Sequence, residues 1–373
     1  MPSMSFAIGT GPDNHPMAPE GGLLPAGGLM TVQILKRALK RPLQVLLAGW
    51  GRQSRTPRQP SLLILMYHRV LPPDHPEMPI IQPGMVVHPQ TFRMHLRVLK
   101  QRFEVVHLDD WLQRVARGQP VPKKACAITF DDGWRDNYDY AFPLLQEAAL
   151  PATIFLVSDK VGTLESFWPE RLARVLWHGG KGQAPAVWDS VEFAWLKQFG
   201  ASYPFGLRPP VGSEIDAIIH QCKRFTDADL QERLQRMESR SVSTTATVTP
   251  DILDWNQVHA MAASGLIRFG SHTRHHVRLS DSVDASILLD EIRTSRKVIE
   301  SHTHLTADVF CYPNGNHTPG VKRLVQGHYQ AACTTQRGWN DVSGDRYLLK
   351  RIGIHDDVTA DEVSFLAKLS GWI

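Results

Sequence analysis

The sequence predicts an α/β fold of parallel strands, with a barrel favoured over a doubly wound sheet. Short β-like runs alternate with helix-like stretches, and the runs number eight. Position adds a third observation: the clusters of acidic, histidine and Pro-Asn-Gly residues follow the ends of such runs, where parallel barrels carry functional residues. In order the runs are Leu62–Met66, Glu104–Leu108, Ala125–Phe130, Thr153–Val157, Leu266–Gly270, Asp308–Tyr312, Ala331–Thr335 and Leu348–Ile354. Helical stretches between them include Pro89–Arg102 and Tyr140–Ala149.

One interval breaks the rhythm. Between Val157 and Leu266 lie 108 residues, where a barrel repeat takes roughly 30. Residues 163–250 read as a helical insertion, with a helix over Asp227–Arg240 and a Ser/Thr-rich loop over Ser241–Thr249. Its tryptophans (Trp168, Trp177, Trp188, Trp195) serve either local packing or a wall that stacks on a sugar.

Ahead of the barrel, residues 1–29 are rich in Gly, Pro and Met and read as a disordered leader, and residues 30–60 as a basic amphipathic helix and linker. Met30 is an alternative start. Val32, Leu35, Leu39, Leu43, Leu46 and Trp50 recur at helical spacing, with a kink expected at Pro42. Two readings are open: this stripe docks on the main domain, or residues 31–50 lie on an anionic membrane surface. Residues 61–373 form the barrel with its insertion.

The 373 residues are 42% hydrophobic and 21% charged, a globular composition that excludes a disordered chain, a collagen-like fibre or a small disulfide-stapled domain. Apolar runs reach about six residues, against the ~18 that span a bilayer. The formal charge of +4 is uneven, because residues 30–59 hold seven basic groups and no acid. Residues 60–373 hold 34 basic and 35 acidic groups, so the body is not expected to bind nucleic acid. Cys126, Cys222, Cys311 and Cys333 form no CxxC pair and read as reduced, structural thiols. With no evident export signal, a cytoplasmic protein is expected, held peripherally at the inner membrane surface by residues 31–50.

Four clusters carry chemistry. Ala127–Gly133 ends an apolar strand in two carboxylates, Asp131 and Asp132, and Gly133 supplies the turn that would let both face one site. Phe269–His276 places His272 and His276 four residues apart, and two imidazoles with one carboxylate form a plausible site for a zinc-like ion. Val309–Gly315 runs a strand into Tyr-Pro-Asn-Gly, a tight turn whose N–H groups can point at a ligand. Leu348–Asp356 ends a last strand in His355.

Tyr67-His68-Arg69, Thr129–Gly133 and His272–His276 together resemble the motifs of polysaccharide deacetylases of carbohydrate esterase family 4. Phe310–Gly315 has the form of the third motif in the branch acting on exopolysaccharides. The resemblance spans residues 60–357 around the insertion, and it implies a distorted (β/α)7 barrel. It also implies Asp131 as general base, Asp132, His272 and His276 as metal ligands, and the Asn314 N–H as an oxyanion donor. His355 loosely fits the motif that provides the general acid; Tyr312, His68 and Arg351 are further candidates on the substrate side. Where many relatives carry an arginine before the third-motif proline, this chain has Phe310, Cys311 and Tyr312, so Arg351 is the candidate replacement from another strand.

The implied activity is hydrolysis of N-acetyl groups from amino sugars of a poly- or oligosaccharide, with one divalent ion, zinc first and cobalt, nickel or iron as alternatives. Two other readings stand beside it: a non-catalytic carbohydrate-binding or scaffold protein on the same barrel, and an amidase acting on a lipid-linked sugar or a small non-sugar amide.

Overall fold

The computed structural model describes residues 40–180, 190–199, 208, 210–240 and 250–372. The leader, the first part of the amphipathic helix, Trp188 and the Ser/Thr-rich loop lie outside the described residues. The chain divides into Met1–Leu43 and Gln44–Ile373. Of the first unit, residues 40–43 are described and are helical and exposed.

In the second unit seven parallel strands close into a ring: β1 (Ser61–Tyr67), β2 (Lys124–Phe130), β3 (Ala152–Leu156), β4 (Ile267–Ser271), β5 (Val309–Cys311), β6 (Ala331–Arg337) and β7 (Leu349–Gly353). The order is β1-β7-β6-β5-β4-β3-β2, and β2 returns to β1 in unbroken register from Ser61↔Lys124 to Tyr67↔Phe130. Closure leaves the ring no free edge. The second run contributes only Glu104–Val105, which pairs with Ala125 and Cys126 of β2 and is not one of the ring strands. Asn340–Asp341 lies antiparallel against the start of β1.

The barrel is distorted at one seam. Between β7 and β6 the pairing slips from Leu349↔Cys333 to Arg351↔Arg337, an irregularity of the kind that re-aims a side chain. Arg351 lies within it and is buried.

Strand alternation sorts the apolar residues. Leu62 and Ile64 face a cluster with Ala125, Ala127, Ala331, Cys311 and Cys333, capped by Trp111 of the helix Leu108–Ala116. Leu63 and Leu65 face outward to the surrounding helices. The helix Pro89–Arg102 matches its predicted span and packs Phe92, Leu96 and Leu99 there, with proline in the first turn where no N–H is missed. The insertion helix Asp227–Arg240 also matches. The insertion has its own apolar cluster, including Leu172, Leu176, Ile215, Ile219, Leu230 and Leu234, against which Trp177 and Trp195 pack.

Residues 40–50 are helical, and of the two readings of the stripe the docked one is not met by its described residues Leu43, Leu46 and Trp50. Gln44 is buried and Leu47 and Ala48 are half-buried, whereas Leu46 and Trp50 are exposed. Residues 51–60 are more than a linker: the turn Arg52–Ser54 buries Gln53, whose amide donates to the Leu47 and Ala48 carbonyls at 2.6 and 3.2 Å. Among the described residues no helix is long and apolar enough to cross a membrane.

Candidate active site

The ends of β1, β2, β4 and β5, together with Trp168, Pro169 and Glu170 of the insertion, line one cavity of about 620 Å³. Asp131 and Asp132 both reach it because the backbone leaves the strand between them. Asp132 has φ 74° and Gly133 has φ 76°, left-handed conformations that break the alternation of neighbouring side chains. At Gly133 an added Cβ would also stand 2.8 Å from the Leu156 side chain.

Asp131 is held by a cation. Arg351 donates from Nη1 to Oδ1 at 2.6 Å and from Nη2 to Oδ2 at 2.7 Å. The guanidinium is itself fixed by Nε donating to the Thr334 carbonyl at 2.9 Å and by the Cys311 Sγ at 3.1 Å. Burial alone would raise the Asp131 carboxyl, but the Arg351 charge and hydrogen bonds outweigh it and hold the group well below the usual carboxylate range. The His68 Nε2 lies 3.9 Å from its Oδ2.

Asp132 faces two imidazoles instead. Its Oδ1 is 3.5 Å from Nε2 of His272 and 3.5 Å from Nε2 of His276, while Oδ2 accepts from the Trp134 indole at 2.9 Å. His272 Nδ1 lies 2.8 Å from the Cys311 carbonyl, which fixes the proton there and leaves Nε2 as a lone pair. His276, at φ 64°, follows the turn begun by Thr273 at φ 68° and is tied back by its N–H to Thr273 Oγ1 at 2.9 Å. Burial pushes both imidazoles down to about 4, so both are neutral at pH 7.

These three donors fit a divalent metal. Their ligand atoms all lie within 4.8 Å of one another, and donor atoms at ~2.0–2.1 Å from a tetrahedral ion stand about 3.3 Å apart. A second group, Asp131, His272 and Cys311, is equally close but chemically unsuited. Burial raises the Cys311 thiol well above its ordinary range, and Asp131 is committed to Arg351.

The remaining expectations divide. His68 and Asn314 line the cavity, and Asn314 sits in the turn Pro313–Gly315 at φ 54°. Arg351, from β7, brings to Asp131 the cation that Phe310, Cys311 and Tyr312 do not supply. Tyr312 is corrected: alternation along the strand end sends Cys311 towards Asp131 and Tyr312 into the apolar cluster with Phe310 and Val321, away from the cavity lining. His355 is also outside the lining; its ring sits behind Gly84, between the lining residues Pro83 and Met85, and bonds Asp357 at 3.1 Å.

Sequence reasoning missed the indole of Trp134 and the buried pair Arg69–Asp136 (2.8 Å) whose guanidinium covers it. It also missed Glu170, whose Oε2 is buried without a hydrogen-bond partner and whose carboxyl burial pushes up to about 7. The Trp after Asp-Asp-Gly was a visible signal; Glu170 had none, because only folding brings the insertion to the cavity.

A closed parallel barrel bearing a carboxylate–dihistidine centre beside an arginine-held carboxylate defines the class. The chain matches the family model of polysaccharide deacetylases over residues 118–180 and 230–331, blocks that flank most of the insertion and contain Asp131, Asp132, His272, His276 and Asn314. Over 126 residues the chain is 25% identical to YxkH of Bacillus subtilis (strain 168), a protein carrying the polysaccharide deacetylase name; the match covers 34% of this chain and 42% of that one. Three solved structures share the fold. The deacetylase PplD of Streptococcus pyogenes, in complex with acetate, aligns with TM-score 0.53 at 16% identity, over 83% of this chain and 98% of its own. BC0361, a polysaccharide deacetylase from Bacillus cereus, aligns with TM-score 0.52 at 17% identity, over 83% and 69%. IcaB from Ammonifex degensii aligns with TM-score 0.52 at 18% identity, over 84% and 100%.

Proposed function

We propose that this protein is a metal-dependent hydrolase that removes N-acetyl groups from the amino sugars of a poly- or oligosaccharide, releasing acetate. The observation that carries it is the convergence of Asp131 with Asp132, His272 and His276 in one cavity, one carboxylate held by a cation and the other turned to two neutral imidazoles. Asp132, His272 and His276 would hold the ion, zinc by preference and cobalt, nickel or iron as alternatives. When bound, it supplies Lewis-acid polarisation of the acetyl carbonyl and acidifies water.

Every other step falls to the chain. Asp131 is ionised at neutral pH and takes the proton of the attacking water, oriented by the two-point contact with Arg351. The N–H of Asn314, a residue of the cavity lining, would donate to the developing oxyanion. Trp168 and Phe167 offer apolar surface to a sugar ring, which makes the insertion one wall of the substrate site. The motif resemblance points to His355 as donor of the proton for the departing amine, with its ring behind the Gly84 loop and outside the cavity lining. Glu170 is the competing donor, favoured by its place in the cavity lining; a comparison of His355→Ala with Glu170→Gln by the alkaline limb of the rate profile separates them. The Phe310–Gly315 motif supports an exopolysaccharide-type substrate.

Metal content by mass spectrometry, beside His276→Ala prepared identically, tests the reading together with acetate release from acetylated sugar oligomers. About one ion per chain, lost in the variant, and metal-dependent acetate release are expected. A reconstituted protein that takes up no metal would replace this mechanism with the carbohydrate-binding one.

A further inference from the structure

A second concave surface lies beside the start of β1, where it takes no part in the deacetylase chemistry. Leu46, Leu47, Trp50, Pro57, Trp339 and Trp372 line an open groove of about 800 Å³. Trp339 directly precedes Asn340–Asp341, which pairs with Ser61 and Leu62, whereas the catalytic cavity opens beyond the other end of the same strand. Trp50 is 71% exposed, Trp372 79% and Leu46 56%. Single exposed hydrophobic residues are ordinary, but two exposed tryptophans and a leucine on one groove form a patch that calls for an occupant.

The charged residues of the lining are of one sign. Arg52 and Arg55 line the groove, Arg58 is exposed just beyond, and none of the described lining residues is acidic. The Lys350 side chain packs over Gly338. Lys368 is held below the ordinary lysine range by burial and by the charge of Arg337, which shows how closely the cations crowd. Asp341 is paired with Arg52 at 2.6 Å.

We propose that this face seats the protein on an anionic lipid bilayer, with Trp50, Trp372 and Leu46 entering the interfacial layer and Arg55 and Arg58 meeting the headgroups. Tryptophan favours that layer because its ring is apolar and its N–H stays wet, and arginines flanking an apolar face add attraction to anionic lipid. A protein seated this way keeps its catalytic cavity, at the far end of β1, open to glycans in solution.

Co-sedimentation of the full chain with vesicles of phosphatidylcholine, and of phosphatidylcholine with phosphatidylglycerol, tests this. Binding to the anionic vesicles is expected to fall about tenfold or more in Trp50→Ala/Trp372→Ala. In Arg55→Gln/Arg58→Gln it is expected to fall about 25-fold, roughly fivefold per charge, with thermal unfolding unchanged because all four side chains are exposed. The arginine variant removes no packing and remains informative if the tryptophan variant fails to fold. Absence of binding to anionic vesicles, equal binding to both compositions, or binding unaltered in both variants would overturn the proposal. So would a dimer seen by light scattering that the tryptophan variant dissolves, which would make a second copy the occupant.

Discussion

The two halves of the catalytic cavity are built around neighbouring residues of one type and come out chemically opposite. Asp131 is closed in by Cys311 and by Arg351, which the Thr334 carbonyl holds in turn. Asp132 keeps an oxygen turned to His272 and His276, with the other held by Trp134. The closed half is matched by charge inside the protein; the open half turns a carboxylate oxygen to two imidazole nitrogens, an arrangement that a bound cation would complete. Adjacent aspartates therefore take different work because of what the barrel brings to each, not because of the residues themselves.

The sharpest test of that contrast is Asp131→Asn. It removes the proton acceptor while leaving the open half intact, so turnover is expected to drop about 10²–10⁴-fold with metal content unchanged, read by acetate release and mass spectrometry on one preparation. Metal lost along with activity would mean the halves are not separate.

Removing the cation should act on the fold instead. Arg351→Met leaves the buried Asp131 carboxylate uncompensated, a loss of about 3–5 kcal/mol in denaturant unfolding at pH 7. Its pH dependence has a definite sign. In the parent protein the depressed carboxyl makes the clamp's contribution complete above about pH 4, and that contribution is lost only as pH falls through the lower folded value. In the variant, burial acts unopposed and raises the carboxyl above its unfolded value, so acidification relieves the strain. The deficit between the two proteins should therefore begin to shrink above about pH 4, as the variant's raised carboxyl takes up its proton, and shrink further below about pH 4 as the parent loses its clamp; a constant deficit would show that Arg351 acts by packing alone.

A smaller effect is expected on the open side. Trp134→Phe removes the indole donor to Asp132 and should weaken metal binding about 10–100-fold by competition titration with a chelator, with activity restored at high metal. Smallest is Trp168→Ala, which trims the insertion's wall: KM for acetylated oligomers should rise about tenfold with kcat nearly unchanged, whereas a fall in kcat alone would place Trp168 in the chemistry.

Much of this was legible in the chain. The β-like runs, the helices Pro89–Arg102 and Asp227–Arg240, and the acidic and histidine clusters at strand ends all follow from periodicity and turn chemistry, which act over a few residues. Less legible was the count of barrel strands, since Glu104–Val105 reads as a strand yet pairs only with Ala125 and Cys126 of β2, ahead of the stretch that β3 takes. Tyr312 failed for a local reason, because a one-residue step along a strand changes the face a side chain takes. Which of the two readings of the amphipathic stripe holds is a non-local matter: a narrow contact through Leu47 and Ala48 holds the described part of the helix and leaves Leu46 and Trp50 outward, which does not meet the docked reading.

The sequence alone determined the alternating architecture and which residues are able to do acid–base and metal chemistry, because strand ends, turns and donor types are properties of short segments. Only the tertiary structure decided that Arg351, 220 residues away in the chain, would clamp Asp131, and that Glu170 and Trp168 of the insertion would wall the cavity. Such pairings depend on ring closure, on the slip between β6 and β7 and on charges meeting in a buried place, and none of these leaves a periodic trace in the chain.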